Sequence, residues 1–110
     1  MKIGIIGTGY VGLPTGVGLA ELGNTVVCVD KIKEKIDALK AGQLTIFEDG
    51  LAELFAKNTA NGRLSFTTSM KKAIEGADVV LIAVGTPPHP VTHEADLKYI
   101  YAAATELAEY

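Results

Sequence analysis

Residues 2–12 read KIGIIGTGYVG, an apolar run that ends in a cluster of glycines. The first five residues form a short, mostly apolar segment of the kind that makes a buried strand. Three glycines follow, at Gly7, Gly9 and Gly12, in the pattern G-x-G-x-x-G. From Tyr10 onward the apolar residues recur at helical spacing. The stretch therefore predicts a strand, a tight glycine turn and a helix in direct succession.

Each glycine of this turn has a mechanical reason to be glycine. Gly7 lets the chain turn sharply off the strand, Gly9 leaves room for a diphosphate to approach the backbone, and Gly12 lets the helix pack closely on the sheet. The start of a helix offers free amide groups and the positive end of its dipole to phosphate. The alternative is a plain strand–helix turn that binds nothing.

An acidic residue follows the second predicted strand, TVVCV at Thr25–Val29. Asp30 comes 18 residues after Gly12, where a carboxylate can accept hydrogen bonds from both hydroxyls of an adenosine ribose. It would also repel a 2′-phosphate, which favours NAD over NADP, although the nearby lysines Lys31, Lys33 and Lys35 weaken that preference slightly. The alternative for Asp30 is a cap on the following helix.

Strand and helix patterns alternate along the rest of the chain. Residues 63–67 and 78–84 are the third and fourth predicted strands, the latter apolar along most of its length and so expected to be buried on both faces. Three further helices are predicted by apolar residues at helical spacing: Ile32, Ile36 and Leu39; Leu51, Leu54 and Phe55, capped by Asp49; and Leu97, Ile100, Ala104 and Leu107. A brief helix after the third strand is capped by Thr68 or Ser69.

This alternation predicts an α/β fold, a Rossmann-type doubly wound parallel sheet with helices on both faces. About four strands are present, fewer than a complete dinucleotide fold has. We therefore expect residues 1–110 to be one NAD-binding domain, a fragment of a longer dehydrogenase whose substrate domain is absent.

Composition excludes several other classes of function. The 110 residues carry a formal net charge of −3, which does not favour nucleic acid or an anionic membrane. The single cysteine, Cys28, excludes an internal disulfide and a four-cysteine metal site, and no apolar run has the ~18 residues of a membrane span. A cytoplasmic setting is expected. His89 and His93 lack a third ligand, so no metal site is predicted.

Six segments, in this order, resemble the UDP-glucose/GDP-mannose dehydrogenase family over essentially the whole chain. They are GTGYVGLP at 7–14, VD at 29–30, IFEDGL at 46–51, GRL at 62–64, ADVVLIAVGTPP at 77–88 and ADLKYI at 95–100. The resemblance implies a protein that oxidises the primary alcohol of a nucleotide sugar to a carboxylate in two steps, each passing a hydride to NAD. ADLKYI favours UDP-glucose. Phe47 and Asp49 depart from the tyrosine and proline usual in the family.

The resemblance also assigns roles to residues. Within GYVG, which includes Tyr10, the Val11 backbone would meet the pyrophosphate, Asp30 the ribose and Lys35 the outer face of the adenosine. Thr86 would line the nicotinamide side, as expected from its place after the fourth strand. The alternative is that its hydroxyl only stabilises the turn before Pro87 through a hydrogen bond.

The chemistry itself is expected elsewhere. By resemblance, the cysteine thiolate that holds the aldehyde-level intermediate lies beyond residue 110, so no catalytic residue is predicted in this chain. Cys28 lies in an apolar strand and is expected to be a buried thiol rather than a nucleophile. We expect the whole protein to bind a nucleotide sugar and to be a homo-oligomer. The alternative is a stand-alone NAD(H)-sensing module without catalysis.

Overall fold

The computed structural model of the protein describes residues 1–44, 46, 48–84 and 98–108, with the backbone alone for residues 98–100. Nine elements follow one another along this part of the chain. In order they are β1 (Lys2–Ile6), α1 (Gly12–Glu21), β2 (Thr25–Val29), α2 (Lys33–Lys40), α3 (Leu51–Ala60), β3 (Leu64–Thr67), α4 (Met70–Ile74), β4 (Val79–Ile82) and α5 (Lys98–Leu107).

The four strands form one parallel sheet in the order β3-β2-β1-β4. The carboxyl ends are aligned, because Ile6 at the end of β1 is opposite Val29 of β2 and Ile82 of β4. The chain runs outward from β1 to β2 and β3, and then returns to place β4 on the other side of β1. The point where this order reverses, between β1 and β4, is where open α/β sheets bind ligands.

Two apolar clusters cover the two faces of the sheet. On one face, side chains from α1, α2 and α3 pack against alternate strand residues, including Ile5, Cys28 and Phe66. On the other face, α4 and α5 contribute Met70, Ala73 and Ala103 to a smaller cluster that contains the intervening strand residues Ile6 and Val29. Helices therefore lie on both faces of a parallel sheet, which confirms the predicted Rossmann-type doubly wound fold.

The prediction that the fourth strand is buried on both faces was wrong. The strand covers Val79–Ile82 rather than residues 78–84, and its two end residues, Val79 and Ile82, are 41% and 36% exposed. β4 lies at the edge of the described sheet, next to β1 only. A strand that is apolar in sequence is thus less covered here than β1 and β2, because burial depends on neighbours that its own sequence does not reveal.

The starts of three helices show which predicted caps form. Ser69 caps α4 by accepting a hydrogen bond from the amide of Lys72 at 3.3 Å, as predicted. Asp49 does not cap α3: the residue before that helix is Gly50, with a φ of +79°, and no side chain caps it. Ile32, predicted on the buried side of α2, is instead the residue that precedes the helix and is exposed.

The face that α5 turns to the sheet agrees with the prediction at Leu107 and differs from it at Ala104. Ala103 is buried and Leu107 packs against the second cluster, whereas Ala104, predicted on the buried face, is exposed. Neighbouring residues of a helix lie about 100° apart, so Ala103 and Ala104 face different directions. Alanine is compatible with either side, so the pattern could not distinguish them. The other residues of that prediction, Leu97 and the side chain of Ile100, lie outside the described residues.

Candidate functional site

The glycine turn begins where β1 ends, and the protein itself requires glycine there. Gly7 has a φ of +110°, which side-chain-bearing residues rarely adopt. A Cβ on Gly7 would lie 2.4 Å from the carbonyl oxygen of Ala83, just after β4. The Gly7 amide donates to the carbonyl of Val29 at 2.8 Å, extending the β1–β2 ladder by one residue. The turn is therefore held between β2 and β4.

Gly12 is closed in as tightly as Gly7. It is the first residue of α1, and a Cβ there would lie 2.2 Å from the carbonyl oxygen of Gly7. No side chain fits at that distance, so the helix starts directly against the turn. The reason proposed from sequence for this glycine, close packing of the helix, agrees with the geometry. The helix begins two residues later than its apolar pattern at Tyr10 indicated.

Gly9 is different, because a Cβ added to it would meet no other atom within 4 Å. The next two residues are also open: Tyr10 is 81% exposed and Val11 is 67% exposed. The amides of Tyr10 and Val11 donate no hydrogen bond to any described residue, and the first turn of α1 contains no acidic side chain. This surface offers unpaired N–H groups at the positive end of a ten-residue helix, which suits a phosphate group.

Asp30 lies beside this surface, directly after β2. Its Oδ2 accepts a hydrogen bond from the Thr8 hydroxyl at 2.8 Å and a longer one from the Thr8 amide at 3.3 Å, and its Oδ1 accepts from the Ile32 amide at 3.0 Å. Its own amide donates to the carbonyl of Thr67 at 3.2 Å. The carboxylate closes a turn before α2 but does not cap that helix, whose N-cap is Ile32.

Thr8 is the residue of this site that the sequence analysis missed. It occupies a variable position of the G-x-G-x-x-G pattern, yet it is 3% exposed and connects the glycine turn to Asp30. A clue was available, since a parallel pairing of β1 with β2 places the residues after both strands side by side. A parallel sheet was predicted, but the pairing of β1 with β2 and the register of Ile6 with Val29, which bring Thr8 to Asp30, are known only from the structure.

The predicted site residues thus fall into three groups. Gly7, Gly9, Tyr10, Val11, Gly12 and Asp30 meet at the carboxyl ends of β1 and β2. Lys35 lies on α2, exposed, five residues after Asp30. Thr86 lies outside the described residues. The described chain leading to Thr86 does reach this edge, because the Ala83 amide donates to the carbonyl of Ile6 at 2.7 Å.

Comparison with known proteins agrees with this geometry. The family model described as UDP-glucose/GDP-mannose dehydrogenase family, NAD binding domain, matches residues 1–110. The chain belongs to this family. The matched region is the family's NAD binding domain, so the cofactor is NAD. The surface formed by the glycine turn, the start of α1 and Asp30 fits such a dinucleotide, since it combines free amides for phosphate with a carboxylate for ribose.

Individual members of the family are similar over nearly the whole chain. The UDP-glucose 6-dehydrogenase of Rhizobium meliloti is 57% identical over 98% of this chain, and the match covers 25% of that enzyme. A solved UDP-glucose dehydrogenase from Pyrobaculum islandicum has a TM-score of 0.89 and 42% identity, over 96% of this chain and 24% of its own. GDP-mannose dehydrogenase from Pseudomonas aeruginosa, solved as a ternary complex, has a TM-score of 0.91 and 40% identity. The match covers 97% of this chain and 24% of that enzyme. The chain spans about a quarter of the length of these relatives.

Two of the three lysines near Asp30 already have acidic partners. Lys31 lies 3.3 Å from a carboxylate oxygen of Glu106 on α5, and Lys33 lies 2.8 Å from one of Asp37 on α2. The lysine of each pair is largely exposed, so each pair contributes little to stability. Lys35 makes no ion pair within the described part of the chain. The role at the adenosine that the family resemblance assigns to Lys35 stays a prediction.

Cys28 is not available for the family's thiolate chemistry. It lies in β2 with its side chain fully buried among residues of the larger cluster. Burial in this apolar surrounding raises the pKa of the Cys28 thiol to about 12. At neutral pH the sulfur therefore stays protonated and out of contact with solvent, as the sequence indicated, and it packs as a small apolar group.

The described residues contain no candidate metal site and no candidate membrane-spanning helix. Across residues 1–44, 46, 48–84 and 98–108, no three histidine, cysteine, aspartate or glutamate residues are grouped so as to hold a metal ion. Among the helices in these ranges, none has the length and apolar character needed to cross a membrane. His89 and His93 lie outside the described residues.

Proposed function

We propose that this chain is the amino-terminal cofactor domain of a longer dehydrogenase that oxidises the primary alcohol of UDP-glucose to a carboxylate, using two NAD. The observation that carries this proposal is the 57% identity to the UDP-glucose 6-dehydrogenase of Rhizobium meliloti over 98% of the chain. Identity to the GDP-mannose dehydrogenase of Pseudomonas aeruginosa is 40%. Binding of the sugar, catalysis, self-association and a cytoplasmic location are predictions for the whole protein.

The geometry supports a specific placement of NAD. The open amides of Tyr10 and Val11, at the start of α1, bind the pyrophosphate, and the space over Gly9 allows it to approach the main chain. Asp30 accepts hydrogen bonds from the adenosine ribose, and Lys35 lies against the outer face of the adenosine. Thr86, by resemblance, lines the nicotinamide side. NAD when bound supplies the hydride acceptor; the residues of this chain hold and orient it.

The carboxylate of Asp30 also explains the choice of NAD over NADP. Two donors from Thr8 and one from Ile32 hold its two oxygens next to the turn, so it cannot swing aside without losing hydrogen bonds. A 2′-phosphate on the ribose would be brought against this fixed negative charge. Of the nearby lysines, Lys31 and Lys33 are paired with Glu106 and Asp37, which reduces their effect on this repulsion. Lys35 makes no ion pair in the described part of the chain and weakens the preference for NAD slightly.

Turnover by the whole protein tests the substrate. The protein, expressed from its complete gene, is mixed with NAD and with UDP-glucose, GDP-mannose or UDP-N-acetylmannosamine, and NADH is followed by its absorbance. We expect two NADH for each UDP-glucose consumed and little from the other two sugars. NADH production from GDP-mannose alone would contradict the substrate. NAD binding without turnover of any sugar would favour the alternative, an NAD(H)-sensing module.

Asp30→Ala tests the cofactor placement. Loss of charge-assisted hydrogen bonds to the ribose should weaken NAD binding to the whole protein by about 1 to 3 kcal/mol, measured by calorimetry. Asp37→Ala is the matched control, because it removes the same charge from an exposed position on α2. It should leave the affinity unchanged. Equal affinity of wild type and Asp30→Ala would remove Asp30 from the site.

A further inference from the structure

We propose that Thr8 is a positioning residue for the cofactor, whose hydroxyl holds the Asp30 carboxylate in the orientation that receives the adenosine ribose. The proposal rests on the proposed function, because it concerns how the same NAD site is preorganised. It adds a residue at a position of the glycine motif that the motif leaves unspecified.

The first support is where the Thr8 side chain is. At 3% exposure, Thr8 is one of two buried polar or charged residues in the described part of the chain, the other being Asn58. A buried hydroxyl needs a hydrogen-bond partner. A threonine in a turn commonly satisfies this need with a neighbouring backbone group. The Thr8 hydroxyl, in the turn after β1, instead donates to Oδ2 of Asp30, which follows β2 and is 22 residues away in sequence; the distance is 2.8 Å.

The second support is what Asp30 would lose without this bond. Oδ2 has two donors, and the other one, the Thr8 amide, is at 3.3 Å. Removal of the hydroxyl leaves the oxygen that faces the turn with a long, weak contact only. The last torsion of an aspartate side chain has a broad energy profile, so the carboxylate plane could then rotate. Ribose binding would have to restore the orientation that Thr8 now maintains.

The bond leaves enough acceptor capacity for the ligand. An ionised carboxylate offers about four lone-pair positions on its two oxygens. The protein uses one on Oδ1, from the Ile32 amide at 3.0 Å, and its two contacts to Oδ2 come from the same residue, one of them long. One position on Oδ1 is therefore free for a hydroxyl of the ribose diol, and the second hydroxyl would replace the long contact from the Thr8 amide on Oδ2. Thr8 therefore orients the carboxylate and leaves acceptor capacity for the ribose.

The test compares variants that differ only in the hydroxyl. Thr8→Val keeps the branched shape and the amide but removes the donor, whereas Thr8→Ser keeps the donor. The affinity of the whole protein for NADH is measured by fluorescence titration. We expect Thr8→Val to raise the Kd about tenfold, the scale of a hydrogen bond to a charged group, and Thr8→Ser to stay within about threefold of wild type. Thr59→Val is the matched control, since the Thr59 hydroxyl bonds only within α3; it should not change the Kd.

Two readouts separate positioning from general damage to the turn. In an Asp30→Ala background, Thr8→Val should cause no further loss, because the group it positions is gone. With an NADH analogue that lacks the 2′-hydroxyl of the adenosine ribose, the loss caused by Thr8→Val should be smaller than with NADH. An equal loss in both backgrounds and with both ligands would overturn the proposal and assign Thr8 a structural role.

The outcomes also distinguish this proposal from the function on which it rests. If the wild-type protein binds no NADH, the proposed function fails. If wild type binds and folded Thr8→Val binds equally well, only the positioning role of Thr8 is overturned. If Thr8→Val does not fold, as judged by circular dichroism, Thr8→Ala replaces it with a side chain that is smaller and equally unable to donate.

Discussion

Gly7 and Gly12 at the ends of the glycine motif contrast with Gly9 in its middle. Added Cβ atoms at the two ends would lie 2.4 Å from the carbonyl oxygen of Ala83 and 2.2 Å from that of Gly7, so the protein's own backbone excludes them. At Gly9 the added atom would meet nothing within 4 Å. The packing of the fold thus requires glycine at Gly7 and Gly12 but not at Gly9, where we propose that a ligand requires it.

Gly12→Ala should have the largest effect, on folding. The methyl group would clash with the Gly7 carbonyl, and the backbone of both the turn and α1 would have to move. We expect a loss of about 3 kcal/mol or more, a large part of the ~5 to 15 kcal/mol that stabilises a typical domain. Thermal unfolding followed by circular dichroism measures it. An unchanged midpoint would show that the turn tolerates a side chain and would remove the contrast with Gly9.

Gly9→Val should spare the fold and abolish binding. The added side chain has open space in the protein alone, and it fills the volume through which the pyrophosphate would reach the amides of Tyr10 and Val11. We expect a normal far-ultraviolet spectrum and an NAD affinity lower by more than about 2 kcal/mol, since displaced phosphate loses several charge-assisted hydrogen bonds. Calorimetry measures the affinity. Normal binding by this variant would mean that the ligand does not approach the backbone at Gly9.

Gly18→Ala should have the smallest effect, in the opposite direction. Gly18 lies on the exposed side of α1, and its added Cβ also meets nothing within 4 Å. Alanine there should raise stability by about 0.5 to 1 kcal/mol, because glycine loses more conformational freedom in a helix, and should leave NAD binding unchanged. An upward shift of the unfolding midpoint is the expected result. A fall in stability would indicate that another part of the whole protein packs against this position.

The fold could be predicted from sequence to the extent that local patterns report burial. The runs at Lys2–Ile6 and Thr25–Val29 form strands at those residues, because β-branched and apolar residues fit the pleated, buried surface of a sheet. The sequence pattern predicted the ends of helices and strands less well than their presence. Asp49 is a good helix cap in type, yet Gly50 in a left-handed conformation enters α3 instead. Caps compete over one or two residues, and local sequence cannot rank them.

The candidate site shows the same limit. The glycines and Asp30 were predicted from their spacing along the sequence and from the strands that precede them. In the structure they lie together at the carboxyl ends of β1 and β2. Thr8 has no spacing signature, because its partner lies 22 residues away and is reached only through the pairing of β1 with β2. The ion pair of Lys31 is similar, since its partner Glu106 is on a helix at the other end of the described chain. The Lys33–Asp37 pair, in contrast, joins residues four apart on α2.

Residue types and their spacing were thus sufficient for the parallel α/β architecture, the glycine turn, the acidic residue after β2 and the family resemblance. They act through short-range sterics and hydrogen bonding, which neighbouring residues along the chain specify. The burial of Thr8, the exposure of Val79 and Ile82 on β4, and the close approach of the Ala83 carbonyl to Gly7 depend on segments distant in sequence. Such contacts exist only after the strands have aligned, because burial and close approach are properties of the packed molecule.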